Sequence, residues 1–379
     1  YTSKASIQGT LNPFINHLGN GITDPYIAKN TDCVPVKAEL VWQDAPSLVT
    51  DIKYNSGTNG GTISFKVDKE NIRQGNALIA IKDSQNTILW SWHIWITDEN
   101  IYHTIKVTNH QNVSHDLMPI HLGWCEGEVI NYAARSCQVQ FIAHGQTRLI
   151  TVNQMRSTTS TQGNCTFYEW GRKDPLRPSS GYAYKNKTWY NAAGIASTAN
   201  HAVESFPFGN ECIKNYIRKP DVMQKEIGGD NTYFNLWNAD NNTNSNVYND
   251  NPVTKTVYDP CPVGFAMPPS NTFTGFTTTG ENVTNTVAKY NGEWNSSLPG
   301  WNFYCGPNKT GGTIFFPMTG ERISSGGHLS AVGSLGHTWS ATSTHSNYAH
   351  NLTLYTNYWV WPLDRFSKSA GHGVRPCLE

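Results

Sequence analysis

The sequence predicts a mainly β protein with large irregular loops, on three observations. Only 15% of its 379 residues are charged while 12% are aromatic, with 13 Trp and 18 Tyr. Long amphipathic helices draw on Lys, Glu, Ala and Leu; this chain favours Thr, Asn, Gly and aromatic residues, which suit strands and turns. Apolar and polar residues alternate with the period of a strand in several short runs. Turn-forming Gly, Asn and Pro separate those runs.

Taken in order, the stretch through Asn12-Pro13 and Asp24-Pro25 reads as irregular. Ala38, Leu40 and Trp42 then alternate with Glu39, Val41 and Gln43, and Ile63, Phe65 and Val67 with Ser64, Lys66 and Asp68. Asn59-Gly60-Gly61 supplies a turn ahead of the second run. Ala77 to Ile81 is continuously apolar, as in a strand buried on both faces. These runs predict a small antiparallel sandwich over residues 1–87. Ile88 to Ile96 (ILWSWHIWI) predicts another strand buried on both faces, with His93 a hydrogen-bonded core histidine. Further strands are expected at Ile101–Val107, Cys137–Phe141, Arg148–Val152, Thr353–Tyr355 and Trp359–Trp361. A helix is expected over Glu211–Arg218, capped by Asn210 and stopped by Pro220, and a second short helix after Ser270.

A chain of this length favours two domains, 1–87 and 88–379. Lys+Arg and Asp+Glu both number 28, with eight of each sign before residue 87. No basic half exists to neutralise phosphates, so neither nucleic acid nor an anionic membrane surface is an expected partner. The longest nearly unbroken apolar stretch, Ile88 to Ile96, is far too short for a spanning helix. The chain starts at Tyr1 without a basic-then-apolar leader, so any signal peptide is expected to lie outside it. The eight cysteines are widely spaced and form no CxxC, which disfavours zinc ribbons and thioredoxin-like redox chemistry. Their even number suits disulfides in an exported protein; the alternative is a set of buried free thiols.

Catalytic signatures are absent: the sequence holds no GxSxG, HExxH or GxxxxGK[ST]. His103, His110 and His115 are the tightest histidine group, but their gaps do not place them on one helix face. Glu126 and Glu128 share a parity, but the carboxylates of a glycosidase pair lie far apart in sequence, and a solvated loop is expected here. Asp240, Asp250 and the asparagines between them offer oxygen ligands for calcium, yet no EF-hand pattern occurs. No metal and no cofactor are therefore expected. The aromatics remain. Trp90, Trp92, Trp95 and Trp339 lie in strand-like apolar contexts and are expected in the core. Tyr355, Tyr358, Trp359 and Trp361 crowd around Asn357 at a hairpin and are the candidates for an exposed ligand-binding patch. Pyranose C–H faces are apolar and polarised toward a π face, so such a patch suits sugars.

Several motifs carry a family resemblance. Tyr258 to Pro268 (YDPCPVGFAMP) resembles the "YDPCPxGxxxP" signature of the Fibrobacter succinogenes major paralogous domain and its relatives on Bacteroidetes surfaces. Phe167 to Pro175 (FYEWGRKDP) looks like their "YYQWGRKDP", and Leu117 to Gly123 (LMPIHLG) resembles "MDRNLGA" without its charged residues. His337 to Thr342 (HTWSAT) is similar to "YYWSST", and Gly373 to Cys377 (GVRPC) to "GFSVRCV". The likeness covers about residues 88–379.

This resemblance implies an α+β C-type-lectin-like domain, related to the formylglycine-generating enzyme fold, over 88–379. It implies a non-enzymatic fimbrial tip or accessory subunit displayed on the outer surface of a Bacteroidetes cell. The implied partners are other fimbrial subunits and a host or bacterial surface glycan or protein. The alternatives are a structural pilus component that binds only other subunits, and a secreted carbohydrate-active enzyme or binding module. Calcium-dependent sugar binding is not implied, because no EPN or QPD triplet occurs and Trp294-Asn295-Ser296 lacks the acid of Trp-Asn-Asp. Arg172 and Asp174 are expected to tie loops together. Cys261 and Cys377, each beside a proline in the strongest motifs, are expected to form a disulfide, since the last strand of a lectin-like fold returns to its middle.

Overall fold

The computed structural model describes residues 14–379 except 71, 128, 161, 208, 226–233, 242–246, 345, 346 and 357. It is mainly β, with 42% strand, 7% helix and a single α-helix. Several antiparallel sheets make up the molecule, joined by long turns.

The first sheet has five strands in the order Ala196–Ser197, Trp189–Tyr190, Lys37–Gln43, Gly75–Lys82, Ile88–Ile96. The apolar run Ala77 to Ile81 forms its centre and is fully buried. Ile88–Ile96 is an edge strand, which explains its burial: Leu89, Trp90 and Ser91 are buried, whereas Trp92 to Ile96 are only half-buried. A hairpin of Thr50–Asn55 and Thr62–Lys66 supplies Ile52 and Ile63 to a small core with Leu48, Val49, Ala77 and Ile79. The turn at residue 87 joins two strands paired along their length, Ile79 opposite Trp92 and Ile81 opposite Trp90. Side chains from both sides of that turn share the main core, where Phe14, Ile22 and Ile81 meet Trp90, Trp170, Trp237 and Trp339.

A second core is rich in aromatic rings. Phe273, Phe276, Trp301, Phe303 and Phe316 pack with Val107, Leu117, Leu352, Leu354 and Val360. Phe276 stacks on Phe303 at 4.0 Å between ring centroids. Three strands enclose it from one side, Gly292–Asn295, Gly300–Gly306 and Thr310–Pro317. A sheet in the order Val283–Thr284, Trp359–Ser367, Tyr348–Tyr355, Leu335–Ser343 borders it as well. The strand Cys377–Leu378 lies between Phe265–Ala266 and Ser114–Leu117.

Three local expectations change. The helix spans Asn210–Arg218 with Gly209 at the N-cap, so Asn210 is the first helical residue rather than the cap. The short helix expected after Ser270 is a 3-10 turn, Thr274–Phe276, at which Gly275 lies close against the backbone of Thr108 and Asn109. The strand expected from Ile101 begins only at Ile105. A further feature is a two-stranded ribbon, Arg135–Ala143 with Gln146–Gln154, whose outer edges pair with no other strand among the described residues. Its Phe141 and Ile142 are 55% and 69% exposed.

Candidate functional site

The four aromatic residues singled out in the sequence come together on one face of the hairpin formed by Tyr348–Tyr355 and Trp359–Ser367. Strand alternation produces this. Leu354 and Val360 pair across the hairpin and point into the ring-rich core. Their neighbours lie on the opposite face: Tyr355 sits opposite Trp359, and the buried Thr353 opposite Trp361. Trp359 and Trp361 stack at 4.6 Å with 6° between their planes. Tyr355 packs on Trp359 at 4.8 Å, and Tyr358 lies 6.1 Å from Tyr355. Three of these rings are half-buried, while Tyr358 is 50% exposed. Trp361 is held in place by its indole N–H, which donates to Thr284 Oγ1 at 3.0 Å. The Tyr358 carbonyl accepts from the Asn285 N–H at 2.7 Å and from the Tyr290 hydroxyl. That anchors the backbone and leaves the ring outside. Asn357 lies outside the described residues.

The other candidates take structural places. His93 shares hydrogen bonds with Asn76 Oδ1 at 2.9 Å and the Tyr168 hydroxyl at 3.1 Å, as a core histidine does. His103 and His110 are exposed, whereas His115 is buried beside Asp250. Asp250 is surrounded by donors: Asn109 Nδ2 at 2.6 Å, Asn271 Nδ2 at 2.8 Å and His115 Nε2 at 3.1 Å. Both oxygens of Asp250 are thus engaged by side chains of the protein. Asp240 accepts from Thr254, and Asn242 lies outside the described residues. Glu126 accepts from the Trp124 indole at 2.6 Å; Glu128 lies outside the described residues. Asn295 turns the chain by accepting from the N–H groups of Ser297 and Leu298, both at 3.1 Å.

Buried charges hold the motif segments together. Arg172 donates to Glu169 and to the carbonyls of Val222 at 2.7 Å and Lys219 at 2.8 Å. Burial pushes the Glu169 carboxyl up to about 7 against the pull of Arg172. Asp174 accepts from Ser91 Oγ at 2.9 Å and pairs with Lys173. Asp259 accepts from Lys255 Nζ and from the N–H groups of Cys261 and Met267, at 2.7, 2.7 and 2.9 Å. Arg375 reaches the carbonyls of Met118, Pro119 and Phe315 and the ring of His121.

All eight cysteines are free thiols, so the expected Cys261–Cys377 disulfide is not formed. Strand pairing sets Cys377 opposite Ala266 and Leu117 rather than opposite Cys261. Both thiols are buried, and desolvation pushes Cys377 up to about 12.

Sequence reasoning missed a group far apart in the chain: Glu321, His337 and His372 have ligand atoms all within 4.8 Å of one another. The sole signal was position, since His337 opens the HTWSAT segment and His372 immediately precedes GVRPC. Comparison with protein-family models, curated proteins and solved structures returns no match.

Proposed function

We propose that this chain is a non-enzymatic cell-surface adhesin that binds a glycan through Tyr355, Tyr358, Trp359 and Trp361. The observation that carries the reading is the outward cluster of four rings, 4.6 to 6.1 Å apart in sequence of contact, on a sheet whose other face is core. Exposed apolar patches on a stable sheet are typical of interaction sites. Aromatic rings bring contact area at little entropic cost, and they suit the apolar faces of sugars. The buried carboxylates Glu169, Asp174 and Asp259 are all engaged by cations or backbone donors, which supports binding rather than acid–base catalysis. The motif resemblance adds the setting: a lectin-like domain in a fimbrial tip or accessory subunit, extracellular, beside other subunits. The test is a glycan and protein array probed with the wild-type chain and with Tyr358→Ala and Trp359→Ala. Binding that both variants lose, with little change in melting temperature for Tyr358→Ala, supports the site; binding unchanged in both defeats it.

A second reading, a structural subunit that binds only its neighbours, is favoured by the ribbon Arg135–Gln154. Its unpaired edges and exposed Val139, Phe141, Leu149 and Ile150 are suited to strand addition. Shortening the ribbon to a tight turn separates the two: it abolishes subunit capture if this reading holds and leaves glycan binding intact under the first.

A further inference from the structure

We propose that Glu321, His337 and His372 bind a divalent transition-metal ion of the zinc class. The three residues come from different segments, the short strand Glu321–Arg322, the strand Leu335–Ser343 and the turn before the final strand. The fold brings them together because Arg322 and Gly371 exchange both backbone hydrogen bonds, each at 2.9 Å. Gly373 likewise donates to the His337 carbonyl at 3.1 Å.

Two imidazoles and a carboxylate are the donor set that zinc and similar ions take when one coordination position stays open. His337 is 2% exposed and His372 fully buried.

An independent observation is that these nitrogens are orphaned. His337 Nε2 and both ring nitrogens of His372 have no hydrogen-bond partner, although buried side-chain nitrogens almost always find one. His337 is oriented through its other nitrogen, which shares a hydrogen bond with Thr353 Oγ1 at 3.0 Å and lies 3.3 Å from the Asn351 amide. That arrangement, one ring nitrogen tethered and the other bare, is how a ligating histidine is held. His372 Nε2 stands 3.8 Å from Glu321 Oε2, beyond hydrogen-bond reach but with no other group to satisfy it.

Closure around an ion requires small movements. Metal bonds of about 2.0–2.1 Å bring tetrahedral ligands to roughly 3.3 Å of one another, against separations of up to 4.8 Å here. The two rings stack at 4.3 Å with 12° between planes, so one must tilt for both to face a shared ion. His372 is the one without a hydrogen bond to resist this, and its tilt works against its stacking on Trp339 at 4.3 Å. A cavity of about 410 Å³ reaches Glu321 and Phe366, and Phe366 packs against both imidazoles at 5.1 and 4.8 Å.

The test uses the full chain stripped with EDTA and titrated with zinc chloride, and separately with cobalt chloride. One zinc per chain, a raised melting temperature and a visible cobalt band of four-coordinate intensity are expected. Glu321→Gln keeps the shape of a half-buried side chain and is expected to weaken zinc binding at least about tenfold without altering the melting temperature of the stripped protein. Because a change at either buried histidine threatens the fold, the second readout is the ring NMR signals of His337 and His372, which should shift on zinc addition. No zinc uptake overturns the proposal, as does undiminished affinity in Glu321→Gln, or uptake that leaves both histidine signals unmoved.

Discussion

Trp170 and Trp339 clasp each other's strands: the indole of Trp170 donates to the Ser340 carbonyl at 3.0 Å, and that of Trp339 to the Tyr168 carbonyl at 2.8 Å. Both rings are fully buried. The two segments lie 170 residues apart in the chain, and here they share a reciprocal pair of bonds. Replacing Trp170 by Phe takes the indole donor from the buried Ser340 carbonyl, which costs about 1–3 kcal/mol; Trp339→Phe costs less, about 0.5–1.5 kcal/mol, because the Tyr168 carbonyl keeps the His372 N–H at 3.0 Å. Urea unfolding of Trp170→Phe, Trp339→Phe and the double variant checks this. A clasp makes the double loss smaller than the two single losses together; additive losses would show two independent bonds.

Arg172→Ala is expected to destabilise strongly and to leave any glycan binding intact. Removing one partner of a buried ion pair costs about 3–5 kcal/mol because the other charge stays buried, and here the carbonyls of Val222 and Lys219 also lose their donor. The check is a melting temperature beside an array profile. Lost binding at an unchanged melting temperature would place Arg172 in a site instead.

Acid should unfold the protein early. Buried His17 is held down at about 4 and His337 at about 3, with His121, His201 and His372 also lowered, desolvation being the leading cause in each. The geometry explains one case directly: His201 Nε2 accepts from the Arg177 backbone N–H at 2.9 Å, so a proton there would break that bond. A depressed folded pKa gives stability that is present above the unfolded value of about 6.5 and is lost as pH falls toward the folded value. Each such histidine removes up to about 1.4 kcal/mol per pH unit in that window. The urea midpoint is therefore expected to fall steeply between pH 6.5 and 4. A flat midpoint down to pH 5 would contradict it.

Thiol reactivity follows burial. Cys137 is exposed on the ribbon, while Cys125, Cys165, Cys212 and Cys377 are buried and pushed up to about 12 by desolvation. A chromogenic disulfide reagent should label Cys137 at once and these four only after denaturation. Peptide mapping without reductant decides Cys261 and Cys377: alkylation of both after unfolding fits the structure, and a crosslinked peptide pair does not.

The strands were readable where one face is core, because alternation then has a physical cause. Leu40 and Trp42, Ile63, and the run Ala77 to Ile81 are examples. The aromatic hairpin was legible for the same reason: Val360 faces inward between outward Trp359 and Trp361. What periodicity does not carry is distance across the chain. Nothing local in Lys37–Gln43 announces Tyr190 as the partner of Gln43, nor does the spacing of Glu321, His337 and His372 announce that they meet. Asn210 failed as a cap for a local reason, since Gly209 at φ 71° turns the chain one residue earlier than a side-chain cap would.

The final strand imposes a schedule on synthesis. Leu117 pairs with Cys377, 260 residues further along. At about 5–20 residues per second, translation leaves Ser114–Leu117 without that neighbour for on the order of 10–50 s. During this interval Val107 and Leu117, both fully buried in the finished fold, are exposed on an open sheet edge. Such distant pairing is slow to close even once the whole chain is present. A chain that stops short of residue 377 lacks the strand that joins Phe265–Ala266 to Ser114–Leu117, and its sheet is left in two parts.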